Sequence, residues 1–350
     1  GSSSTYTRVV GLTSGATHNT FTHTQLEGVI FNSTSFVNRR AIVYLTAGAF
    51  DQVAANNTFT HNYLLNGSYG IFATGFNTSY LIPGLRVDSN FVDNPYYRGF
   101  EMRYLDDPMV RGNVITTNSS YTSYRGLYLD YTRNGFEVLN NKVIGNKAGD
   151  QTLYLYNCDG TFVEPGLVAN NFVQTGDANG IGIRLSYNDF VKVYHNNVHV
   201  TGTNHTGTRA AYFNYGSNVD LRNNVFANIA GGTAIDVSPS NSISGSDFND
   251  LYATGTNLGN WLGTTAPDIA SWRTLSAVDA NSISVDPLFT SETDLHVRQA
   301  ALDSAAQILI QITTDLDGES RDVTQPDIGA DDFLLLARDL GFVGVVSPGD

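Results

Sequence analysis

Two carboxylates and two arginines, Glu101, Asp130, Arg103 and Arg184, stand among four tyrosines, Tyr128, Tyr154, Tyr156 and Tyr212, at spacings close to one repeated interval. If a fold brings them to one surface, residues of these types can do three kinds of chemistry. A carboxyl pair suits acid-base cleavage of a glycosidic bond, with separations of roughly 5 Å for retention and about 6.5 to 9.5 Å for inversion. A tyrosine base beside an arginine that neutralises a carboxylate suits elimination. Tyrosine rings next to guanidinium groups also suit binding without cleavage, since a ring face can lie on a sugar ring while polar tips bond its hydroxyls.

The elements that must position these residues are short strands. An apolar-x-apolar pattern begins at Ile71, Phe100, Leu127, Leu153, Ile181, Ala211 and Ile235, and such alternation means one packed face and one wet face. A second pattern, apolar-x-x-(Asn)-Asn-(Val/Phe), runs in phase with it. Its closing residues step through Phe36, Phe59, Phe91, Val114, Val143, Phe172, Val198, Val225 and Phe248, with a mean interval of about 26.5 residues. A unit of this size cannot bury its own apolar face, so copies must stack. The period and the missing helical pattern predict an all-β chain, a right-handed parallel β-helix (solenoid) of about nine to ten coils with a short C-terminal cap containing a helix. Residues 1–250 form the coils, 251–333 the last coil and cap, and 334–350 a linker toward a further domain. An asparagine ladder is expected through Asn90, Asn113, Asn171, Asn197 and Asn224, broken by Lys142, with each amide also serving a left-handed backbone position.

In such a solenoid, outward residues of successive coils line up. Aligned on the first inward residue, one stripe reads Phe72, Glu101, Tyr128, Tyr154, Gly182, Tyr212 and Asp236; the next reads Thr74, Arg103, Asp130, Tyr156, Arg184, Asn214 and Ser238. Tyr97-Arg98-Gly99 and Tyr124-Arg125-Gly126 fall 27 residues apart, as loops at the rim of the same wall. Arg103, Tyr128, Tyr154, Tyr156, Arg184, Tyr212 and Arg125 are the candidate substrate-binding residues, and the partner they suit is a polysaccharide or other glycan. Glu101 and Asp130 are the candidate catalytic pair, about 8 Å apart along the backbone and kept ionised by Arg103. For elimination, Tyr128 or Tyr156 would act with Arg103 and Arg184. The competing reading is architectural: Arg103 beside Asp130 as a surface ion pair of about 1 kcal/mol or less, and the tyrosines as a ladder that suits β structure.

Composition removes other classes. The chain has 350 residues and a net charge of -14, with 33 acidic against 19 basic side chains. Such a surface repels phosphate backbones, so no nucleic-acid partner is expected. No apolar run reaches the roughly 18 to 20 residues of a membrane span. The one cysteine, Cys158, reads as a small buried hydrophobe. His195 and His199 flank a ladder asparagine as turn or surface residues and do not converge on a metal, and no metal site is assigned. No cofactor is required, although Asp106-Asp107, Asp315, Asp317 and Asp327 offer oxygen ligands suited to calcium.

Residues 261–333 leave the repeat. Asp268-Ile269-Ala270-Ser271-Trp272-Arg273 reads as a short helix, followed by Asp286-Pro287-Leu288-Phe289, Asp294-Leu295-His296-Val297, Asp315-Leu316-Asp317-Gly318 and Pro326-Asp327-Ile328-Gly329-Ala330-Asp331-Asp332-Phe333. This series resembles the C-terminal cap of secreted right-handed parallel β-helix repeat proteins of the pectate-lyase-like group, Bacteroidota-type surface proteins. It departs from them at Ser304-Ala305-Ala306, where a Ser-Pro-Ala-Ile-Asp-type turn is commoner. The resemblance implies a secreted or cell-surface bacterial protein, monomeric, with flanking domains, in a group that includes polysaccharide lyases, hydrolases and members without known activity. Fold membership does not assign a reaction. Residues 251–333 are expected to plug the solenoid end, which would otherwise expose core and strand edge.

Overall fold

The structure, a computed structural model, describes residues 7–30, 40–145, 151–176, 178–238 and 242–333. Phe36 and the linker 334–350 lie outside them. Alternating apolar residues produce short strands whose inner side chains meet in one column, and the chain rises by stacking each coil on the one before. One face is built from Tyr69–Thr74, Arg98–Asp106, Arg125–Arg133, Gln151–Tyr156, Ile181–Tyr194, Arg209–Arg222 and Thr233–Val237, paired in parallel. The longest of these strands bend through a corner into a second face. The third face is a separate nine-stranded sheet running from Gln25–Glu27 to Asp250–Ala253. Ile71, Phe100, Leu127, Leu153, Ile183, Ala211 and Ile235 share one inward register and are buried. The parallel β-helix is thus present, with one short helix beyond it.

Three details of register differ from expectation. Ile183, not Ile181, pairs with Leu153, because Ile181-Gly182-Ile183 offers two equally good inward residues. Gly182 consequently sits at a tight junction where a Cβ would come within 2.2 Å of Val198 Cγ1. The third-face register runs Phe91, Val114, Lys142, Phe172, Asn197, Val225, Asp250, so Val143 and Val198 are each one position off and Phe248 two. Phe59 belongs to the second face, opposite Phe21 and Val87.

The asparagine ladder is longer than expected and unbroken. It runs Asn62, Asn90, Asn113, Asn141, Asn171, Asn196, Asn224 and Asn249, each Nδ2 donating to the Oδ1 of the next through Asn224. Asn141 fills the rung assigned to Lys142, and Asn196 takes the place of Asn197. The left-handed backbone falls one residue earlier, at His61, Ser89, Gly112, Asn140, Asn170, His195, Asn223 and Phe248. That residue turns the chain, and the asparagine after it points inward.

The end of the chain does two jobs. Gly259–Trp261 and Thr264–Ala266 form an antiparallel hairpin. After it, helix α1 (Ile269–Ser276), N-capped by Asp268, inserts the buried Trp272 against Trp261 and closes the column. Residues beyond about 283 do not plug the end. They fold back along the flank, where ladder-side residues hold them: Asn223 donates to Gln307 O, Asn170 to Thr314 O, and Asn140 to Asp315 O. Asn197, released from the ladder, donates to Leu295 O and accepts from Ala330 N.

Candidate functional site

On the first face the outward stripe is Phe72, Glu101, Tyr128, Tyr154, Arg184, Tyr212 and Asp236. Arg184 stands here, where Gly182 was expected. The neighbouring stripe is Thr74, Arg103, Asp130, Tyr156, Ser186 and Asn214. The corrected register places a cation between Tyr154 and Tyr212, with the Arg184 guanidinium carbon 4.8 Å and 5.2 Å from the two ring centres. All nine residues predicted to form the site lie on or beside these two stripes.

The tyrosines do not present their faces as expected. Tyr128 and Tyr154 stack on each other at 5.1 Å, and Arg125 lies over both at 4.4 and 4.8 Å. They are outward yet only 9% and 6% exposed. Burial pushes the Tyr128 phenol well above its ordinary range, which makes it a poor base for elimination. Arg98 and Arg125 begin strands, in register with each other, instead of standing in rim loops. Arg98 is buried, Tyr124 fully so.

The acid pair is placed in register as predicted, with Glu101 opposite Tyr128 and Asp130 opposite Arg103. Arg103 Nε donates to Asp130 Oδ2 at 2.8 Å, while Asp130 Oδ1 is buried without a partner. The charge state differs from the expectation that Arg103 keeps both carboxyls low. Burial pushes Glu101 above the usual glutamate range, and Arg98, Arg103 and Arg125 pull it back only in part. Burial likewise outweighs Arg103 at Asp130. A carboxyl with a raised folded pKa contributes stability below its unfolded pKa that is lost as pH rises through the folded value. Asp130→Asn is therefore expected to flatten the fall in stability that begins near pH 3.8, read from melting temperature against pH.

A feature that strand alternation could not reveal lies at the corner after these strands. Tyr104, Tyr131, Asn157, Tyr187 and Tyr215 occupy one vertical column, and all five have left-handed backbone, with φ between 51° and 59°. This conformation is uncommon for bulky side chains. Tyr104 and Tyr131 stack at 5.4 Å and Tyr187 and Tyr215 at 4.4 Å, while Tyr156 bridges Tyr131 and Tyr187 at 6.3 and 5.6 Å. Tyr187 and Tyr215 are 43% and 42% exposed. The intervals 104 to 131 and 187 to 215 repeat the coil period, the one signal available in the sequence. Because glycine accepts this backbone freely, Tyr215→Gly is expected to be about 1 kcal/mol more stable than Tyr215→Ala in denaturant titration.

The other candidate ligands are occupied by folding. Asp315 accepts from the backbone of Asp317, Glu319 and Asp332, and Asp327 from Ser304 and Phe333. Asp106 bonds Asn134. His195 and His199 are buried, not turn or surface residues, and both are pushed below the ordinary histidine range by that burial. Among the described residues one group, His296, Asp317 and Asp331, clusters closely enough to hold an ion, but His296 is already bonded to Asp294 and Asp317. Cys158 is buried and free, as expected.

No helix among the described residues is long and apolar enough to cross a membrane. No curated protein matches the chain. One solved structure with a similar fold is the crystal structure of the periplasmic alginate epimerase AlgG, at a TM-score of 0.39 and 14% identity. The match covers 70% of this chain and 60% of that one, so it spans less than two thirds of the epimerase. Residues 9–164, which include the coils of Glu101, Tyr128 and Tyr154, match the family model described as "Right handed beta helix region", in keeping with the winding seen here.

Proposed function

We propose that this chain is a secreted or cell-surface module that engages a polysaccharide along the outward face from Glu101 to Tyr212, with the corner tyrosines as its contact ridge. The observation that carries this reading is the column Tyr104, Tyr131, Tyr187 and Tyr215. Each holds a bulky ring in a backbone conformation that costs roughly 1 to 2 kcal/mol for an L-residue. The equivalent turn beside the ladder is filled mostly by Asn, Gly, Ser and His. A bulky ring kept in this conformation at four of the five rungs of the column, with Tyr187 and Tyr215 exposed at the far end, supports a role in binding. At one rung per ~4.8 Å the ridge runs about 19 Å along the axis, enough for several sugar rings.

The charge of the face indicates which glycan. An acidic chain places Arg98, Arg103, Arg125, Arg184 and Arg209 here against Glu101, Asp130 and Asp236. Arg103 and Arg209 pair with Asp130 and Asp236. Arg125 and Arg184 have no carboxylate at ion-pair distance among the described residues; Arg184 bonds Ser186. An acidic polysaccharide would supply the missing partners, and Arg125→Ala with Arg184→Ala is expected to weaken it about tenfold or more. Neutral polysaccharides should be affected less, and added salt should erase the difference. Affinity electrophoresis against a panel of acidic and neutral polysaccharides tests the reading; a blank panel would favour a rigid spacer or adhesin segment.

A second reading, cleavage on the same face, has one specific support: Glu101 and Asp130 are both held toward the protonated form by burial, as a general acid requires. Reducing ends released by wild type and lost in Glu101→Gln or Asp130→Asn would support hydrolysis. Unsaturated products would support elimination. The bacterial source, the flanking domains and a monomeric state belong to this proposal, resting on the C-terminal series Pro326 to Phe333.

A further inference from the structure

Tyr104 does not begin the aromatic line. Thr74 pairs with Arg103 and Ile82 with Leu105, so where the coil of Tyr104 turns the corner with that residue alone, the coil before it inserts residues 75–81. Gly75 takes the place of the tyrosine: its N donates to Arg103 O, and a Cβ there would come within 2.9 Å of Tyr104 Cβ. The rest of the insert is a tight turn, closed by Phe76 N donating to Tyr80 O, Tyr80 N to Asn77 O and Ser79 N to Asn77 Oδ1. It holds the rings of Phe76 and Tyr80 6.3 Å apart, and Phe50 of the preceding coil meets Tyr80 at 5.7 Å. Phe50, Phe76 and Tyr80 are 58%, 45% and 44% exposed.

The rung of Asn157, which also lacks a tyrosine, repeats the arrangement. Residues 134–136 of one coil correspond there to 160–166 of the next. Thr161 N donates to Glu164 O and Glu164 N to Thr161 Oγ1, and this turn carries Phe162 at 87% exposure. Both rungs without a tyrosine thus carry an outward phenylalanine on a closed turn. Among the described residues, every phenylalanine or tyrosine at least as exposed as Tyr215 stands at this corner. Single exposed rings scattered over a surface need no explanation, but rings gathered along one line do.

We infer that Phe76 and Tyr80, with Phe50 beside them, form a further binding subsite of the corner, taking the C–H faces of an extended polysaccharide chain that runs lengthwise past Phe162 to Tyr215. The inference rests on the glycan reading and extends it. From the rung of Gly75 to that of Tyr215 is about 24 Å at ~4.8 Å per coil, so the ligand is a polymer and not a short sugar. Residues 75–81 carry no charge, so ring faces make this contact and ion pairs do not. A single file of rings suits a ligand that is long and repeating, whereas a bilayer binds in proportion to the apolar area buried and needs a broad surface.

The probes are alginate, polygalacturonate and hyaluronate, each as the polymer. Phe76→Ala with Tyr80→Ala should weaken the tightest of them about tenfold or more by isothermal titration, by the same factor at low and high salt. Phe91→Ala, on the nine-stranded face, is the control and should change nothing. Phe76→Trp is the second variant: Trp261 and Trp272 are buried, so the new ring is the exposed one. Its emission should shift to the blue with the polymer and stay unchanged with vesicles of phosphatidylcholine and phosphatidylglycerol. Polymer affinity that falls in the Tyr187 and Tyr215 double variant but not in the Phe76 and Tyr80 one, an emission that the polymer leaves unchanged, or a shift with vesicles alone would overturn this inference and leave the glycan reading standing. A wild type that binds none of the three polymers overturns both.

Discussion

Replacing Tyr187 and Tyr215 together by alanine is expected to weaken polysaccharide binding by roughly 30- to 150-fold while leaving the fold intact. The two rings stack on each other, Tyr156 packs against Tyr187, and both residues stay more than two fifths exposed. Covering the exposed part of one such ring with a sugar is worth about 1 to 1.5 kcal/mol, and of both about 2 to 3 kcal/mol. Alanine keeps the left-handed backbone at both positions, so nothing in the corner needs to rearrange. Isothermal titration gives the affinity and circular dichroism the fold. Tyr154→Ala should behave in the opposite way: its ring is buried between Tyr128, Arg125 and Arg184, so its loss should cost about 3 kcal/mol of stability before any effect on binding. Affinity retained in the double variant would assign the ridge to architecture.

The largest stability effect is expected at the middle of the ladder. Asn171 Nδ2 donates to Val138 O, Ala169 O and Asn196 Oδ1, and its Oδ1 accepts from both the backbone and the side chain of Asn141. Asn171→Ala empties a fully buried site and strands groups on the coils above and below. At about 1 kcal/mol per lost bond, and more for each orphaned group, the cost is about 3 to 5 kcal/mol, measured by denaturant unfolding. Asn197→Ala, one residue from a rung, should cost less and act locally, loosening Leu295 and Ala330 of the flank segment.

The contrast between Asn196 and Asn197 shows how far sequence carries. Period and residue type announce that a ladder exists, but adjacent asparagines leave its frame open, and only stacking between coils decides it. Ile181-Gly182-Ile183 fails for the same reason: a short apolar-x-apolar run fits two registers, and the choice moves Arg184 from one stripe to the other. The stripe residues themselves were legible, because outward and inward positions alternate and Glu101, Tyr128 and Asp130 follow from Phe100 and Leu127. Their burial was not, since it arises from rings and guanidinium groups of adjacent coils covering one another. The corner tyrosines were missed because alternation says nothing about a residue at positive φ. The flank segment was missed because its apolar residues at 308–312 carry no period that names what they cover.

Hydroxyl-radical footprinting of the tyrosines, with and without the tightest-binding polysaccharide, tests the account most directly. Protection is predicted at Tyr156, Tyr187 and Tyr215, with Tyr63 on the nine-stranded face unchanged. A polysaccharide that binds while Tyr187 and Tyr215 stay as reactive as in the free protein, or that protects the nine-stranded face instead, would contradict it.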